Sequence, residues 1–272
     1  MQKISRITVQ KKNKNRYNIF LVKDAKEVYG FSVQEETLIA ERLQKGMELE
    51  DATIESLLAK DTIHKGYSLA LNFLSYRMRS IKAMKEYLQK KEIDAEHITV
   101  IINRLINEKW LDDAAFAEAF IRTKVQTTSK GPLVVKKELI EKGVSVEKAD
   151  EALIHYSIDE QLEKAVKLIK KNSRKSAKQS FQQQQNKIKQ SLMQKGFSQG
   201  IIQEAFTQVT QVKDQDQEWD AVVFQGEKIL RRYTNKYQGS ELRHKVKASL
   251  YQKGFSLDEI EKFIEHYIDG DE

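Results

Sequence analysis

The sequence contains no cysteine and a single proline, and these two shortages exclude several kinds of protein. Without cysteine there is no disulfide framework, no thiolate ligand for zinc and no thiol nucleophile. One proline, Pro132, and 11 glycines in 272 residues leave few turn breakers, which disfavours sandwiches of short strands and α/β enzymes. We therefore expect a mainly α-helical protein.

Long apolar runs are missing too. No segment approaches the ~20 apolar residues of a transmembrane helix, and the mean hydropathy is −0.62. The basic N-terminus continues into further lysines and has no apolar segment with a cleavage site, so it does not resemble a secretory signal. We expect a cytoplasmic protein that does not associate with membranes.

The known catalytic and cofactor motifs are also absent. The five histidines are scattered, and there is no His-Glu-x-x-His pair, phosphate loop or dinucleotide-binding glycine motif. The acidic pair Asp112 and Asp113 is better explained as a helix start, where acids stabilise the positive helix end, than as a metal site. We expect a non-enzymatic protein with no metal and no cofactor. A nuclease, a third hypothesis, would rest on this pair alone.

Positive charge is concentrated in a few segments. Residues 1–26 hold eight basic residues and one acid, which accounts for the whole net charge of +7. Residues 164–189 hold nine bases and no acid, whereas residues 27–60 hold eight carboxylates and three bases. Such segregation suits a protein that lies along a polyanion or along a partner carrying both signs, although a solvated helix face explains any single run.

One sequence pattern occurs four times. Its leucines are Leu88, Leu139, Leu192 and Leu250, so the copies follow one another at similar intervals. Apolar residues four positions before each leucine, and 10 and 17 after it, keep helical spacing on both sides of a turn. In three copies the turn has a glycine (Gly143, Gly196, Gly254), which can end a helix in the left-handed conformation, while the first copy has Glu92. A serine or aspartate two residues later can cap the next helix.

The repeat predicts four tandem three-helix modules that form an elongated curved body behind a small N-terminal β-hairpin and short helices. We predict domains at residues 1–66, 67–108, 109–157, 158–212 and 213–272. The first helices of the modules are expected at 68–79, 112–125, 159–171 and 219–233. The hairpin is expected around residues 4–21 with a third extended piece at 28–31, followed by short helices at 33–44 and 50–59. Leu74, Tyr76, Phe116, Leu139, Val144 and Phe255 should be core residues. Trp110 and Trp219 are expected to seal junctions between modules, with a base-stacking role as the alternative.

The repeated lysines form two sets. Lysines three residues after each leucine are explained by the negative end of the helix that they terminate. Lysines three residues before it have no such explanation and, if the modules stack in one sense, form a row suited to phosphates or acidic groups on a filament. The candidate contact residues are therefore Lys85, Lys136, Lys189 and Lys247, together with Arg77, Arg79, Arg231, Arg232, Lys11, Lys12, Lys14 and Arg16.

An ordered set of motifs resembles the signature of the RecX family of regulatory proteins. It consists of Leu74-Ser-Tyr-Arg-Met-Arg79, Trp110-Leu-Asp-Asp113 and Leu139-x-x-Lys-Gly143-Val144, within a resemblance that spans roughly residues 30–268. The basic hairpin and the fourth module are similar to the longer, Gram-positive type of member. Glu92 and the glutamines at 182–185 depart from the pattern.

The resemblance implies a cytoplasmic, monomeric, non-enzymatic protein that binds the RecA–DNA filament in its helical groove. It would inhibit RecA ATPase, strand exchange in homologous recombination and DNA repair, and the coprotease activity of the SOS response. Contact with single- and double-stranded DNA would be weaker and independent of sequence. The alternative from the residues alone is a sequence-independent DNA-binding helical repeat protein that acts without RecA.

Overall fold

The computed structural model describes residues 1–173, 178–209 and 215–269, and these are mainly helical, as the sequence predicts. The strands are β1 (Gln2–Val9), β2 (Arg16–Lys23), β3 (Lys26–Gln34) and β4 (Glu48–Leu49). The helices are α1 (Glu35–Ala40), α2 (Asp51–Ser75), α3 (Ile81–Lys90), α4 (Ala95–Asn107), α5 (Asp113–Thr127), α6 (Pro132–Glu141), α7 (Val146–Ala152), α8 (Ile158–Ser173), α9 (Phe181–Gln194), α10 (Gln199–Gln208), α11 (Gln215–Tyr233), α12 (Gly239–Gln252) and α13 (Leu257–Ile264). No helix in the described ranges is both long and apolar enough to span a bilayer.

The chain divides into two compact units. The first comprises Met1–Ala119 and Leu139–Ala149, and the second comprises Phe120–Glu138 and Asp150–Glu272. The first unit contains a core under the N-terminal sheet and a second core among α2, α3 and α4. The second unit contains one core among α8, α9 and α10 and another among α11, α12 and α13.

The N-terminal sheet is antiparallel with strand order β3-β2-β1-β4. The predicted hairpin and third strand are confirmed, and β4 is a short addition on the other side of β1. Ile4, Ile19 and Val33 alternate toward the buried face, where the apolar residues form the first core. The buried Asp61 of α2 accepts hydrogen bonds from the Arg16 guanidinium, the Gln34 amide and Thr37, so it ties the sheet to the first helices.

Helix α2 differs from the prediction. The sequence predicts separate helices at 50–59 and 68–79, but a single helix runs from Asp51 to Ser75. The intervening residues are polar and include Gly66, which disfavours a helix locally. Tertiary packing reverses this preference, because a Cβ at position 66 would lie 2.5 Å from Ile101 of α4, so glycine permits close helix contact. The predicted domain boundary at 66/67 lies inside this helix.

The repeat positions are buried as the pattern predicts. All four repeat leucines are buried, as are the apolar residues four before and five after each of them. Position +17 is buried at Leu105 and Tyr156, whereas Val209 is half-buried and Tyr267 is exposed. Leu139, Val144 and Phe255 are therefore core residues, while Leu74 and Phe116 are half-buried.

The turn inside each helix pair has the expected left-handed residue. Gly143, Gly196 and Gly254 have φ between +82° and +89°, and Glu92 adopts +60° at the equivalent position. Ser198 caps α10, and Ser256 forms a capping box with Glu259 at the start of α13. The conformation is thus shared by all four copies, including the one that lacks glycine.

Three of these turns also dock on a neighbouring helix. The Ser80 hydroxyl, at the start of α3, donates to the carbonyl of Lys142, and the Ser180 hydroxyl, at the start of α9, donates to that of Lys253. At the start of α6 the Gly131 amide donates to the Lys195 carbonyl over 2.7 Å. In each case the turn of one module meets the N-terminus of the second helix of the preceding module. We call this contact the turn joint.

Turn joints explain why a glycine follows the lysine that lies three residues after the repeat leucine in modules two, three and four. A Cβ at Gly143 would lie 2.5 Å from the Lys82 side chain, and one at Gly196 would lie 2.5 Å from the Val134 amide nitrogen. A Cβ at Gly254 would lie 3.1 Å from Ser180. The first module has no preceding module, so its turn carries Glu92 without such a clash.

Candidate binding surface

The segment between α2 and α3 presents basic and apolar side chains to solvent. Tyr76 is 79% exposed, and Met78 and Arg77 are exposed as well. The prediction that Tyr76 belongs to the core is wrong, because α2 ends at Ser75 and its apolar spacing does not continue past that point. We call residues 76–79 the basic loop.

Arg79 is held at the edge of this loop by aromatic rings. Its guanidinium lies 3.9 Å from the Phe73 ring centroid, and Phe73 stacks on Tyr87 at 4.0 Å with 5° between the ring planes. The Lys91 ammonium lies 5.7 Å from the other ring of the stack, that of Tyr87. Two cations thus flank a pair of stacked rings, an arrangement that fixes the arginine without using its hydrogen-bond donors.

Neither arginine of the basic loop has an acidic partner among the described residues. The Nε atom of Arg79 is buried and has no hydrogen-bond acceptor in the described part of the chain. Burial, and then the charge of Arg77, lower the pKa of Arg79. The exposed guanidinium of Arg77 has donors to offer to a partner, and phosphate and carboxylate groups match its planar geometry.

Of the four lysines that lie three residues before the repeat leucines, two have an acidic partner and two do not. Lys136 forms an ion pair with Asp150 at 2.5 Å, and Lys247 forms one with Glu261 at 2.7 Å. The two acids occupy equivalent positions on the third helices of their modules. The hydrogen bond from Lys247 lowers the pKa of Glu261. These two lysines therefore have the structural explanation that the sequence did not provide.

Lys85 and Lys189 stay without an acidic partner in the described ranges. Both are exposed, and the positions equivalent to the two acids are occupied in their modules by Thr99 and Gln203, which carry no charge. The Lys189 ammonium lies 5.3 Å from the Phe206 ring centroid. Of the four lysines that the sequence predicts to form a row, Lys136 and Lys247 are therefore paired with acids, and Lys85 and Lys189 have no acidic partner within these ranges.

The remaining candidates are exposed to different degrees. Arg231 lies 3.6 Å from Glu227, and the Arg232 guanidinium lies 5.6 Å from the Tyr233 ring centroid; both are exposed. Lys11, Lys12 and Lys14 are exposed in the turn between β1 and β2. Arg16 is instead half-buried and paired with Asp61 at 3.1 Å, so its guanidinium is committed to the fold.

Asp112 and Asp113 each accept hydrogen bonds from the N-terminal amides of a helix. Asp112 accepts hydrogen bonds from the amides of Ala114 and Ala115 at the start of α5. Asp113 is buried and accepts the Ile81 amide at the start of α3 over 2.9 Å. Glu218 performs the same task for Phe181 at the start of α9. Within the described ranges no cluster of three or more potential metal ligands is present.

The two tryptophans differ from each other. Trp110 is 58% exposed, so the prediction that it seals a junction is wrong. Trp219 packs partly against the core of its own module, with the Lys262 ammonium 4.4 Å from its ring centroid. Trp110 follows Lys109, a left-handed residue that ends the turn after α4, and this irregular backbone carries the ring to the surface.

The Arg79, Phe73 and Tyr87 stack was not predicted from the sequence. Phe73 and Tyr87 lie on different helices, so no single helical period relates them. The sequence signal available was two aromatic residues flanking an arginine-rich segment. Only the crossing of α2 and α3 brings the rings together.

Family models cover most of the chain. The RecX N-terminal domain matches residues 2–50, and the first, second and third RecX three-helix domains match residues 67–105, 112–153, and 159–206 with 215–264. The chain belongs to the RecX family. The third-domain model matches twice, which agrees with the two equivalent cores in residues 158–269.

Relatives and solved structures of RecX proteins agree with this membership. Regulatory protein RecX of Oceanobacillus iheyensis is 52% identical, with 97% of this chain and 98% of the relative covered. That of Halalkalibacterium halodurans is 43% identical, with 96% and 98% covered. A crystal structure of regulatory protein RecX, 35% identical, superposes with a TM-score of 0.67 over 76% of this chain and 100% of the solved one. RecX from Lactobacillus salivarius is 41% identical, with a TM-score of 0.53 over 55% of this chain and 97% of the solved one.

Proposed function

We propose that this RecX protein is a non-enzymatic cytoplasmic regulator that binds the RecA–DNA filament in its helical groove. Bound there as a monomer, it inhibits RecA ATPase, strand exchange and SOS coprotease activity. Its contacts with single- and double-stranded DNA are weaker and independent of sequence. The RecA partner comes from the family resemblance, and the residues that make the contact are argued from the geometry.

The observation that carries the proposal is the basic loop. Arg77 and Arg79 lie beside exposed Tyr76 and Met78, and no acid in the described part of the chain neutralises either arginine. A free surface that combines unpaired guanidinium groups with apolar side chains suits a protein partner bearing acids or phosphates. Lys85, on the helix that follows the loop, adds a further cation without an acidic partner in the same ranges.

A second candidate function is sequence-independent DNA binding without RecA. It is favoured by the exposed lysines of the β1–β2 turn, Lys11, Lys12 and Lys14. It predicts tight and steeply salt-dependent binding to bare DNA, since each phosphate contact releases counterions. It also predicts that the protein leaves RecA turnover unchanged when DNA is in excess.

Hydrolysis of ATP by RecA on single-stranded DNA, titrated with this protein, tests the proposal. We expect inhibition at fewer than one molecule per RecA protomer with DNA in excess. The variant Arg77→Gln/Arg79→Gln should need at least about 10-fold more protein for the same inhibition, since the loss of two charged contacts costs about 1.5 kcal/mol or more.

Arg243→Gln is the matched control, because Arg243 is also exposed but is paired with Asp269 at 3.1 Å. It should inhibit as the unmodified chain does. Equal weakening by the control and the loop variant would contradict the proposed contact. Unchanged ATPase at equimolar protein would contradict RecA regulation itself.

A further inference from the structure

The outer face of the N-terminal sheet carries an aromatic and cationic row that the repeats do not explain. Residues Arg6, Phe20 and Tyr29 are directly opposite one another on β1, β2 and β3. They point away from the core, because their neighbours Ile19 and Leu21 are the residues buried beneath the sheet. The Arg6 guanidinium lies 4.3 Å from the Phe20 ring centroid, and the Phe20 and Tyr29 rings meet edge to face at 6.0 Å.

This row is open to solvent. Tyr29 is 57% exposed, and Val22, on the adjacent row of the same face, is exposed as well. An exposed aromatic residue on an edge strand costs hydrophobic free energy and favours aggregation. Its presence at position 29 therefore indicates a binding role. Arg6 also pairs with Glu27 at 2.6 Å, and the Ser5 hydroxyl donates to the other carboxylate oxygen of Glu27, so the partner of the arginine is itself held in place.

Basic side chains surround the row. The turn between β1 and β2 carries Lys11, Lys12 and Lys14, and the opposite end of the sheet carries Lys23 and Lys26, all of them exposed. Lys3 lies on the outer face itself, opposite Val22. Across residues 1–34, eight basic residues face only two acids, Asp24 and Glu27. A polyanion that crosses the sheet therefore meets cations at both ends and rings in the middle.

We propose that this outer face binds single-stranded DNA. Unpaired bases stack on Tyr29 and Phe20, and the lysines at the two ends of the sheet neutralise phosphates. Stacking on exposed aromatic residues beside a basic groove is a general solution to sequence-independent binding of single strands, because every base has a π-face. A duplex keeps its bases stacked inside, so it gains from the lysines but not from the rings.

The site is distinct from the basic loop and needs no RecA for its action. It rests on the DNA contact of the proposed function and deepens it, by assigning single-stranded DNA to the outer face of the N-terminal sheet and naming the rings that distinguish it from a duplex. Its test uses bare DNA, so a negative result leaves the filament contact of the repeats unaffected.

Fluorescence anisotropy of the full chain with a labelled oligothymidylate of about 20 nucleotides, and with a duplex of equal length, tests the inference. Tyr29→Ala should weaken single-strand binding at least about 5-fold, the loss expected for one stacked base, and should change duplex binding less than about 2-fold. Tyr29→Trp, which keeps a large ring, should retain the single-strand affinity.

Tyr251→Ala is the matched control, since Tyr251 of α12 is 61% exposed on a helix far along the chain from the sheet. It should leave both affinities unchanged. Unaltered single-strand affinity of Tyr29→Ala, or an equal loss for single strand and duplex, would overturn the inference, as would a loss of the same size in Tyr251→Ala. Circular dichroism and thermal unfolding show that each variant is folded before its affinity is compared.

Discussion

At the residue scale, buried polar side chains in the described ranges serve helix and strand ends. The six that are buried are Thr37, Asp61, Ser80, Asp113, Ser180 and Glu218. Five of them hydrogen-bond a backbone amide or carbonyl, and Thr37 donates to the carboxylate of Asp61. A buried polar group without a partner costs free energy, so these side chains and the helix termini satisfy one another. These side chains therefore stabilise the fold. The same role explains the acidic pair Asp112 and Asp113, whose carboxylates accept hydrogen bonds from helix N-terminal amides.

Tyr156 gives a prediction about pH at this scale. It is buried, its hydroxyl donates to the Lys130 carbonyl over 2.9 Å, and burial raises its pKa to about 12. The folded state therefore favours the protonated phenol, whose contribution to stability is complete below pH ~10 and is lost as pH rises from about 10 to 12. Tyr156→Phe should cost about 1 kcal/mol of unfolding free energy at neutral pH.

Chemical denaturation at neutral pH and between pH 10 and 12 measures this effect. The unmodified chain should lose more unfolding free energy over the alkaline window than Tyr156→Phe does. The two proteins differ only in the phenol hydroxyl, so the difference between their losses isolates its contribution. Equal losses of unfolding free energy in the two proteins would show that folding does not raise the pKa of Tyr156.

At the element scale, the turn joint determines which turns need glycine. All four turns have a left-handed residue, and in the three docked turns a Cβ on that residue would meet a neighbouring helix. A non-glycine residue at positive φ costs about 1–3 kcal/mol. A Cβ at Gly143 or Gly196 would also clash with the neighbouring helix, and one at Gly254 would be tightly packed at 3.1 Å. The first module carries only the conformational cost, because its turn has no preceding module to meet.

Two substitutions separate these costs. Gly143→Ala should lower the unfolding free energy by at least about 2 kcal/mol, since it combines positive φ with a Cβ against Lys82. Glu92→Gly relieves the strain but increases the entropy of the unfolded chain, so it should change stability by less than about 1 kcal/mol. Urea unfolding monitored by circular dichroism measures both, and similar losses for the two variants would contradict a steric role for the joint.

The sequence predicts the elements that follow a period and misses those that depend on contact between elements. The repeat leucines, the left-handed turns and the three main strands all follow from spacing and turn chemistry. The continuity of α2 depends on Gly66 packing against Ile101, and the end of α2 at Ser75 leaves Tyr76 exposed. Local propensity contains neither fact, because both are set by tertiary structure.

The candidate site follows the same rule. Spacing correctly identifies four equivalent lysines, but their partners lie on another helix of the module. Asp150 and Glu261 neutralise Lys136 and Lys247, whereas the equivalent positions in the other two modules hold Thr99 and Gln203, which carry no charge. The charge of a side chain is therefore readable from the sequence, and its availability to a partner is not.

At the scale of the whole molecule, the chain is a basic N-terminal sheet followed by four helical modules. Lysines at equivalent positions of these modules differ in whether an acidic side chain pairs with them. The modules share a design, so a difference between equivalent lysines reflects their partners. Lys85 and Lys189 are exposed and have no acidic partner within residues 1–173, 178–209 and 215–269, and they belong to the first and third modules. From this distribution we propose that the unpaired cations contact the RecA–DNA filament.

Double variants of the two lysine pairs test that claim most directly. Both variants remove two positive charges at equivalent repeat positions, so they alter net charge identically. Lys136→Ala/Lys247→Ala should retain inhibition of RecA ATPase and should lose about 0–2 kcal/mol of unfolding free energy, because each partly exposed ion pair contributes about 0–1 kcal/mol. Lys85→Ala/Lys189→Ala should retain stability.

The decisive measurement is the amount of each double variant that halves RecA ATP hydrolysis on single-stranded DNA. We expect Lys85→Ala/Lys189→Ala to need at least about 5-fold more protein than the unmodified chain, and Lys136→Ala/Lys247→Ala to need less than about 2-fold more. Equal potency of the two double variants would contradict the proposed contact.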